Sequence, residues 1–385
     1  MKTVGVICEY NPLHKGHVKQ FDAIRSLLGQ DTAIVCLMSG NFVQRGSPAI
    51  IDKSLRASAA VRCGADLVLE LPITCVLSSA EGFAAGGVKI LSGFCDELCF
   101  GTESADESTL IRTATALLSP DFPPLLRRHL DTGKSFPAAR QAALQELEVD
   151  AGILGSPNNI LGVEYCKAII RQGCTMKPLP IHRGGSYHND LPDFENPSAT
   201  AVRRLLLEGG DYQSLVPDGA REIFENAPLH TVRAGERAIL SKLRTMTDAE
   251  FEMLPHGSEG LWRKLMHASR KEGTLADIIA ATKSKRYTRT RIDRMILCGF
   301  LGITAQELCA AAPYTRVLAL NERGRSVLKA ARQTGTFLNA GEIPPTDYGA
   351  KERQIGDLYG LFCESDPEAP GLEANRRIYY HSKEF

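Results

Sequence analysis

The chain has 385 residues, enough for two or three domains with sizeable cores, and its 45 Lys and Arg balance its 45 Asp and Glu, so any nucleic-acid surface must be a local patch. Its 11 cysteines show no metal-type pairing: no CxxC or His pair completes Cys95 and Cys99, while Cys8, Cys36, Cys63 and Cys75 sit in apolar contexts that suit packing in a reducing compartment. No apolar run is long enough to cross a membrane, and Met1-Lys2-Thr3 leads straight into a strand without a signal peptide, so a cytoplasmic protein with no membrane contact is expected. The apolar run 4–8 predicts a first strand, and 18–28 its helix. Residues 33–38 predict a second strand and 54–63 a helix; 66–71 a third strand and 80–92 a helix; 97–100 a fourth strand, ending at Gly101. Short apolar strands separated by helices predict an α/β fold with a doubly wound parallel, Rossmann-like sheet.

Residues 106–149 read as helix broken at Pro120, Pro123, Pro124 and Pro137. Residues 151–155 are expected to return to the sheet, and Ser156-Pro157-Asn158-Asn159 to cap a helix running to about 172. A strand follows over 176–181, then a loop from Arg183 to Pro197 and a helix from Ser198 to about 208. After about 228 the texture changes to long amphipathic stretches over 234–254, 259–271 and 275–301. We therefore expect two domains, 1–228 and a mainly helical 229–385, in which 317–320 is the one clear strand candidate. Arg376, Arg377 and Lys383, beside Tyr379, Tyr380 and His381, read as a frayed tail.

His14-Lys15-Gly16-His17 follows the first strand through the turn Glu9-Tyr10-Asn11-Pro12. Two imidazoles three residues apart on the first turn of a helix point the same way. The helix start adds free N–H groups and partial positive charge, and Gly16 lets a polyphosphate come close. Such an assembly suits in-line attack at the α-phosphate of a nucleotide, where catalysis is mainly positioning and charge stabilisation. An HxxH alone is as readily a metal-site fragment or a pair of surface histidines; the strand, turn and helix around it single this one out.

A second phosphate signal is Asn196-Pro197-Ser198-Ala199-Thr200-Ala201-Val202-Arg203. Ser198 and Thr200 place hydroxyl and N–H donors at a helix start, and Arg203 supplies a guanidinium fork for β- and γ-phosphates. Taken alone it is also an ordinary N-cap followed by a surface Arg. Asn41, Gln44, Arg45, Asp52, Lys53 and Arg56 converge after the second strand and are candidates for holding a small substrate or a base. The plainer alternative has Asp52 capping the next helix, with Lys53 and Arg56 solvated. Lys283, Lys285, Arg286, Arg289, Arg291 and Arg294, opposed only by Asp293 and interleaved with Tyr287, form the strongest local positive field. That patch suits RNA phosphates, with base stacking on the tyrosine. No protein partner and no metal-ligand set is read from the sequence.

An early HxGH followed by an S-x-T-x-x-R helix start resembles the HxGH nucleotidyltransferase superfamily. Glu9–His17, Met38–Gly46, Ile51–Lys53, Gly64–Val68, Phe100–Glu103, Pro157–Gly162 and Lys285–Arg289 together resemble the bacterial tRNA(Met) cytidine acetate ligase family over nearly the whole chain. The resemblance implies acetylation of N4 of the wobble cytidine of elongator tRNA(Met), using ATP and free acetate, with Mg²⁺ as the expected metal. It implies that His14, His17, Lys15 and Arg203 stabilise charge on the reacting phosphates. It implies ATP contacts at Ile7, Cys8, Glu9, Tyr10, Asn11, Pro12, Leu13, Gly16, Val18, Lys19, Gln20, Gly101, Asn158, Asn159 and Arg183, with Ser198 and Thr200 holding the pyrophosphate. The rival reading is a small-molecule adenylyltransferase acting on a phosphorylated metabolite, which leaves the basic helical half without a task.

Overall fold

The computed structural model describes residues 1–103, 106–182 and 197–382. Strand β1 (Thr3–Cys8) leads through residues 9–14 into helix α1 (Lys15–Leu28), which starts three residues earlier than the apolar pattern predicts. His14 explains the shift. It caps the helix, its ring accepting from the Gly16 N–H while the His17 ring accepts from the His14 N–H. The chain continues through β2 (Ala33–Ser39), the small hairpin β3 (Phe42–Val43) and β4 (Ser47–Pro48), then α2 (Lys53–Arg62), which Asp52 caps through the Ser54 N–H. Next come β5 (Leu67–Leu71), α3 (Ile73–Val76), α4 (Ala80–Leu91) and β6 (Glu97–Thr102).

Three proline-punctuated helices follow: α5 (Glu107–Leu118), α6 (Phe122–Asp131) and α7 (Phe136–Glu146). The expected return to the sheet at 151–155 does not occur. Ala151–Gly155 forms a 3₁₀ turn, because the Asp150 carboxylate takes the Gly152 N–H at 2.8 Å and curls the chain. Helix α8 (Pro157–Gln172) ends at Gly173 in the left-handed region, and β7 (Lys177–His182) completes this side of the sheet. Then come α9 (Ala199–Glu208), capped by Ser198, and α10 (Asp218–Glu225).

The amphipathic stretch 234–254 resolves into α11 (Val232–Thr245) and α12 (Asp248–Glu252), separated where Thr247 and Glu250 make a capping box. Helix α13 (Leu261–Lys271) follows. The stretch 275–301 likewise splits into α14 (Leu275–Thr282) and α15 (Arg289–Leu301). The chain then runs through α16 (Ala305–Cys309), β8 (Thr315–Asn321), α17 (Glu322–Ala331), β9 (Phe337–Asn339), α18 (Asp347–Tyr359) and β10 (Tyr379–His381).

Among the described residues the main sheet has eight strands, ordered β10-β8-β5-β2-β1-β6-β7, with β9 also paired to β8. All these pairings are parallel except β5 with β8. The sheet therefore crosses residue 228, since β8, β9 and β10 of the second half extend the sheet of the first. Of the stretch expected to be a frayed tail, Arg376 is held by Asp52 and Tyr379–His381 pairs with Ala319–Asn321, while Lys383 lies outside the described residues. Strands alternate between two cores: Ala33, Val35 and Leu37 face one, while Ile34, Cys36 and Met38 face the other. Both faces are covered by helices, as a parallel sheet requires. No helix among the described residues is long and apolar enough to cross a membrane.

Chain order supplies the crevice. From β1 the sheet grows through β2 to β5 on one side, then through β6 to β7 on the other. The direction reverses between β1 and β6, and ligands of such sheets bind beyond the carboxyl ends at that point.

Candidate active site

The chain leaves β1 at Cys8 and turns sharply. Tyr10, at φ 41°, takes a backbone conformation rare for a side chain of its size and is buried against Phe21 and the His17 ring. Asn11 fixes the same turn by accepting the Ile50 N–H at 2.8 Å. The imidazoles that follow are stacked, with ring centroids 3.7 Å apart and planes 25° from parallel. His14 is only 2 % exposed.

Their hydrogen bonds set their chemistry. Nδ1 of His14 accepts from the Gly16 N–H at 3.1 Å, and Nδ1 of His17 accepts from the His14 N–H at 3.2 Å. Each neutral ring thus carries its proton on Nε2 and serves as a donor. The pair stands at the amino end of α1, where the helix dipole adds positive potential. Lys15, Val18 and Gln20 are half-buried around it and Lys19 is exposed; Pro12 and Leu13 lie buried beneath.

The second phosphate motif is brought to the first. A side chain at Gly16 would stand 3.0 Å from the His14 ring and 3.7 Å from the Pro197 carbonyl, which directly precedes the cap of α9. Ser198 spends its hydroxyl on the Ala201 N–H, so as a phosphate ligand it offers backbone rather than side chain. Arg203 reaches across to the Asn11 carbonyl at 2.6 Å and to Thr200 Oγ1 at 3.1 Å. The starts of α1 and α9 therefore lie side by side at the reversal of the sheet, with Arg203 held against the Asn11 carbonyl. Such helix starts accept anions.

On the other side of the reversal, β6 ends beside β1. Gly101 pairs with Ile181, and Glu103 follows. The Glu103 carboxylate accepts from the Asn158 N–H at 3.2 Å, Asn158 Nδ2 at 2.8 Å and the Asn159 N–H at 2.9 Å, while Asn159 Oδ1 accepts from the Glu103 N–H at 3.0 Å. The asparagine pair is thus pinned at the start of α8, with the Asn158 carbonyl oxygen turned away from the carboxylate. Arg183 lies outside the described residues.

The loop after β2 behaves differently from its sequence expectation. Asn41 is buried, and its Oδ1 accepts from the Lys53 N–H at 2.8 Å. Lys53 is buried too, its ammonium between Glu70, at 2.7 Å, and Glu373, at 2.9 Å. Asp52 caps α2 and holds Arg376 at 2.7 Å through both oxygens. The Lys53 and Asp52 charges are thus compensated within the interior, by Glu70 and Glu373 and by Arg376. Arg56, fully buried, donates to the carbonyls of Glu9, Ser39, Gly40 and Ile51 and so ties the ends of β1 and β2 together. Only Gln44, whose N–H reaches Glu9 Oε1 at 2.8 Å, and exposed Arg45 stay beside the crevice. The tie between Glu9 and Gln44, and the role of Glu103, carry no local sequence signal.

The basic stretch is also redistributed. Lys283, Lys285 and Arg286 lie exposed in the turn before α15, with Arg286 3.1 Å from Glu259. Arg289 pairs with Asp293 at 2.8 Å. Arg291 is half-buried and donates to the His256 carbonyl at 2.9 Å, and Arg294, 8 % exposed, points to the Gln44 carbonyl at 3.3 Å. Tyr287 is buried and gives its hydroxyl proton to the Glu259 carbonyl at 2.5 Å, so it is no platform for a stacked base.

A family model described as HIGH Nucleotidyl Transferase matches residues 1–343. A tRNA(Met) cytidine acetate ligase of Clostridium acetobutylicum is 36 % identical over 359 residues, covering 88 % of this chain and 89 % of that one. One of Alkaliphilus metalliredigens is 33 % identical with all of both chains covered. The chain belongs to the tRNA(Met) cytidine acetate ligase family. Two crystal structures of Thermotoga maritima TmcAL share its fold at 29 % identity, each covering 99 % of this chain: the apo form at TM-score 0.90 and a form bound with alpha-thio ATP at 0.87.

Proposed function

We propose that this chain is an ATP-dependent ligase that activates acetate as acetyl-adenylate and transfers the acetyl group to N4 of the wobble cytidine of elongator tRNA(Met). The observation that carries the reading is the stacked His14–His17 pair at one helix start, facing the start of α9 and Arg203. Acetate is ionised at neutral pH and needs no base to attack the α-phosphate. It needs charge shielding, which the two Nε2–H donors, Lys15, Arg203 and two helix amino ends supply. Backbone N–H groups around Ser198 and Thr200 would receive the departing pyrophosphate. The ATP contacts over Ile7–Gln20 and at Gly101, Asn158 and Asn159 fit the two sides of that reversal of the sheet.

Among the described residues no cluster of three or more His, Cys, Asp or Glu could hold a metal. A Mg²⁺ ion would accompany the triphosphate. Residues 232–301 and the exposed cations Lys283, Lys285, Arg286 and Arg289 would grip the tRNA, and Gln44 and Arg45 would meet its target base. A small-molecule adenylyltransferase leaves that helical block unused.

The test incubates tRNA with the protein, ATP and isotope-labelled acetate, then analyses nucleosides by mass. Labelled N4-acetylcytidine is expected, together with ATP–pyrophosphate exchange that depends on acetate. Exchange driven by a phosphorylated metabolite instead would replace this reading with the adenylyltransferase.

A further inference from the structure

Acyl transfer to an exocyclic amine releases a proton, and the paired imidazoles are poorly arranged to take it. Their Nδ1 lone pairs are occupied by backbone N–H groups and their Nε2 atoms carry protons, so both rings donate. The carboxylates near the crevice are mostly engaged. Glu103 accepts three N–H groups, Asp52 caps α2 and holds Arg376, and Glu70 is bound by Lys53 and Arg316.

Glu9 differs. It directly follows β1 and is half-buried, and one of its oxygens takes the Gln44 N–H. Among the described residues no other group donates to it. Charged and titratable neighbours face it from each packed element: Arg45 from the loop after β2, Arg56 from α2, Arg203 from α9, Tyr165 from α8 and Cys8 from β1. Its place is intermediate. Two residues on, the Asn11 carbonyl holds Arg203 of the phosphate site, while the Gln44 carbonyl receives Arg294 of α15. Glu9 thus sits between the residues that hold Arg203 and those that receive α15. Burial raises its pKa, and the Gln44 N–H with Arg45, Arg203 and Arg56 limits the rise, so this carboxylate takes a proton more readily than a solvated one.

We propose that Glu9 is a catalytic residue for the transfer step, its carboxylate taking the proton from the exocyclic amine. As the amine nitrogen bonds to the acetyl carbon, the bond from that carbon to the adenylate oxygen breaks. The electron pair leaves on AMP, and the N4 proton passes to Glu9. This rests on the acetyl-adenylate reading above.

The experiment compares wild type with Glu9→Gln, which keeps size and the bond from Gln44, in two assays. The first is acetate-dependent ATP–pyrophosphate exchange. The second is single-turnover acetyl transfer to tRNA across pH 5–9, repeated with hydroxylamine as an acceptor that needs no base. Glu9→Gln should lose about a hundredfold to ten-thousandfold in transfer to tRNA, together with the acid limb of its pH profile. Because Glu9 also lies in the segment proposed to contact ATP, exchange and acetohydroxamate formation serve as the reference, and transfer to tRNA should fall at least about tenfold beyond any loss they show. Glu9→Asp, which keeps a carboxylate, should recover part of the transfer and its acid limb. Equal losses in exchange and transfer, or an unchanged acid limb in Glu9→Gln, overturn the assignment. If Glu9→Gln does not fold, Glu9→Asp is read instead: a loss in transfer that exceeds any loss in exchange supports the assignment, and transfer equal to wild type overturns it. Absence of acetate-dependent exchange in wild type itself would instead overturn the ligase reading.

Discussion

The two histidines are arranged before any nucleotide arrives, because each ring is locked by a backbone N–H of the same helical turn. His14 therefore has two separable tasks, capping α1 and presenting Nε2. His14→Ala should lose both: about 1 kcal/mol of stability from the missing cap and about a hundredfold to a thousandfold in acetate-dependent exchange from the missing donor. His14→Ser restores the cap alone, so its melting temperature should approach wild type while its exchange stays low. Recovery of exchange in His14→Ser would refute a chemical role for the ring. The spacing of the pair was legible in the chain because helix geometry alone puts residues three apart on one side. Lys53 and Arg56 were not legible. A cation in an amphipathic segment looks solvated until the partners Glu70, Glu373 and four carbonyls arrive from elsewhere in the chain.

Strand and helix identity in the first half could be read from apolar runs and turns, and so could the parallel order, since each strand there is followed by a crossover. The basic stretch divides in the structure. Six cations within twelve residues span a turn and the first turns of α15, and helical rotation sends Arg291 and Arg294 inward while Lys283, Lys285 and Arg286 stay out. RNA affinity should follow that division. Lys283→Glu with Lys285→Glu should weaken tRNA binding and reduce the slope of log affinity against log salt by about two, one for each lost phosphate contact. Arg294→Ala should instead lower the melting temperature, since it empties a buried guanidinium site against Gln44. Filter binding from low to moderate salt, beside thermal unfolding, separates the two. Equal salt slopes in wild type and the double lysine variant would remove this turn from the RNA surface.

At the scale of the molecule, the unforeseen feature is that the end of the chain closes the sheet of its beginning. Antiparallel β8 lies against β5, and Glu373 and Arg376 reach α2, joining Asp52, Lys53, Glu70 and Arg316 in one buried network. No local pattern announces a partner some 300 residues away, so only the strand at 317–320 was visible, without its neighbour. Removing one member should cost several kcal/mol: Lys53→Met leaves Glu70 and Glu373 short of a cation, and breaking such a buried pair typically costs about 3–5 kcal/mol. The network also sets a response to acid. Burial raises the Asp52 carboxyl, but the Arg376 guanidinium, the Ser54 N–H and the Lys53 charge outweigh it and bring the pKa down to about 2. Because folding favours the charged form, its contribution is complete above roughly pH 4 and is lost as pH falls towards 2, about 2 kcal/mol in all. His256, which bridges to the Leu77 carbonyl, responds earlier. Burial and the Arg294 and Arg291 charges press its pKa down to about 4, so the unfolded chain takes up a proton first and stability declines from roughly pH 6.5 to 4. Denaturant titrations at successive pH values should therefore show two losses. Asp52→Asn should shrink the lower one and leave the upper. The remainder belongs to Glu373, whose carboxyl burial raises but Lys53, Arg376 and Arg316 hold well below its usual range. A lower loss of unchanged size in Asp52→Asn would remove Asp52 from the acid response.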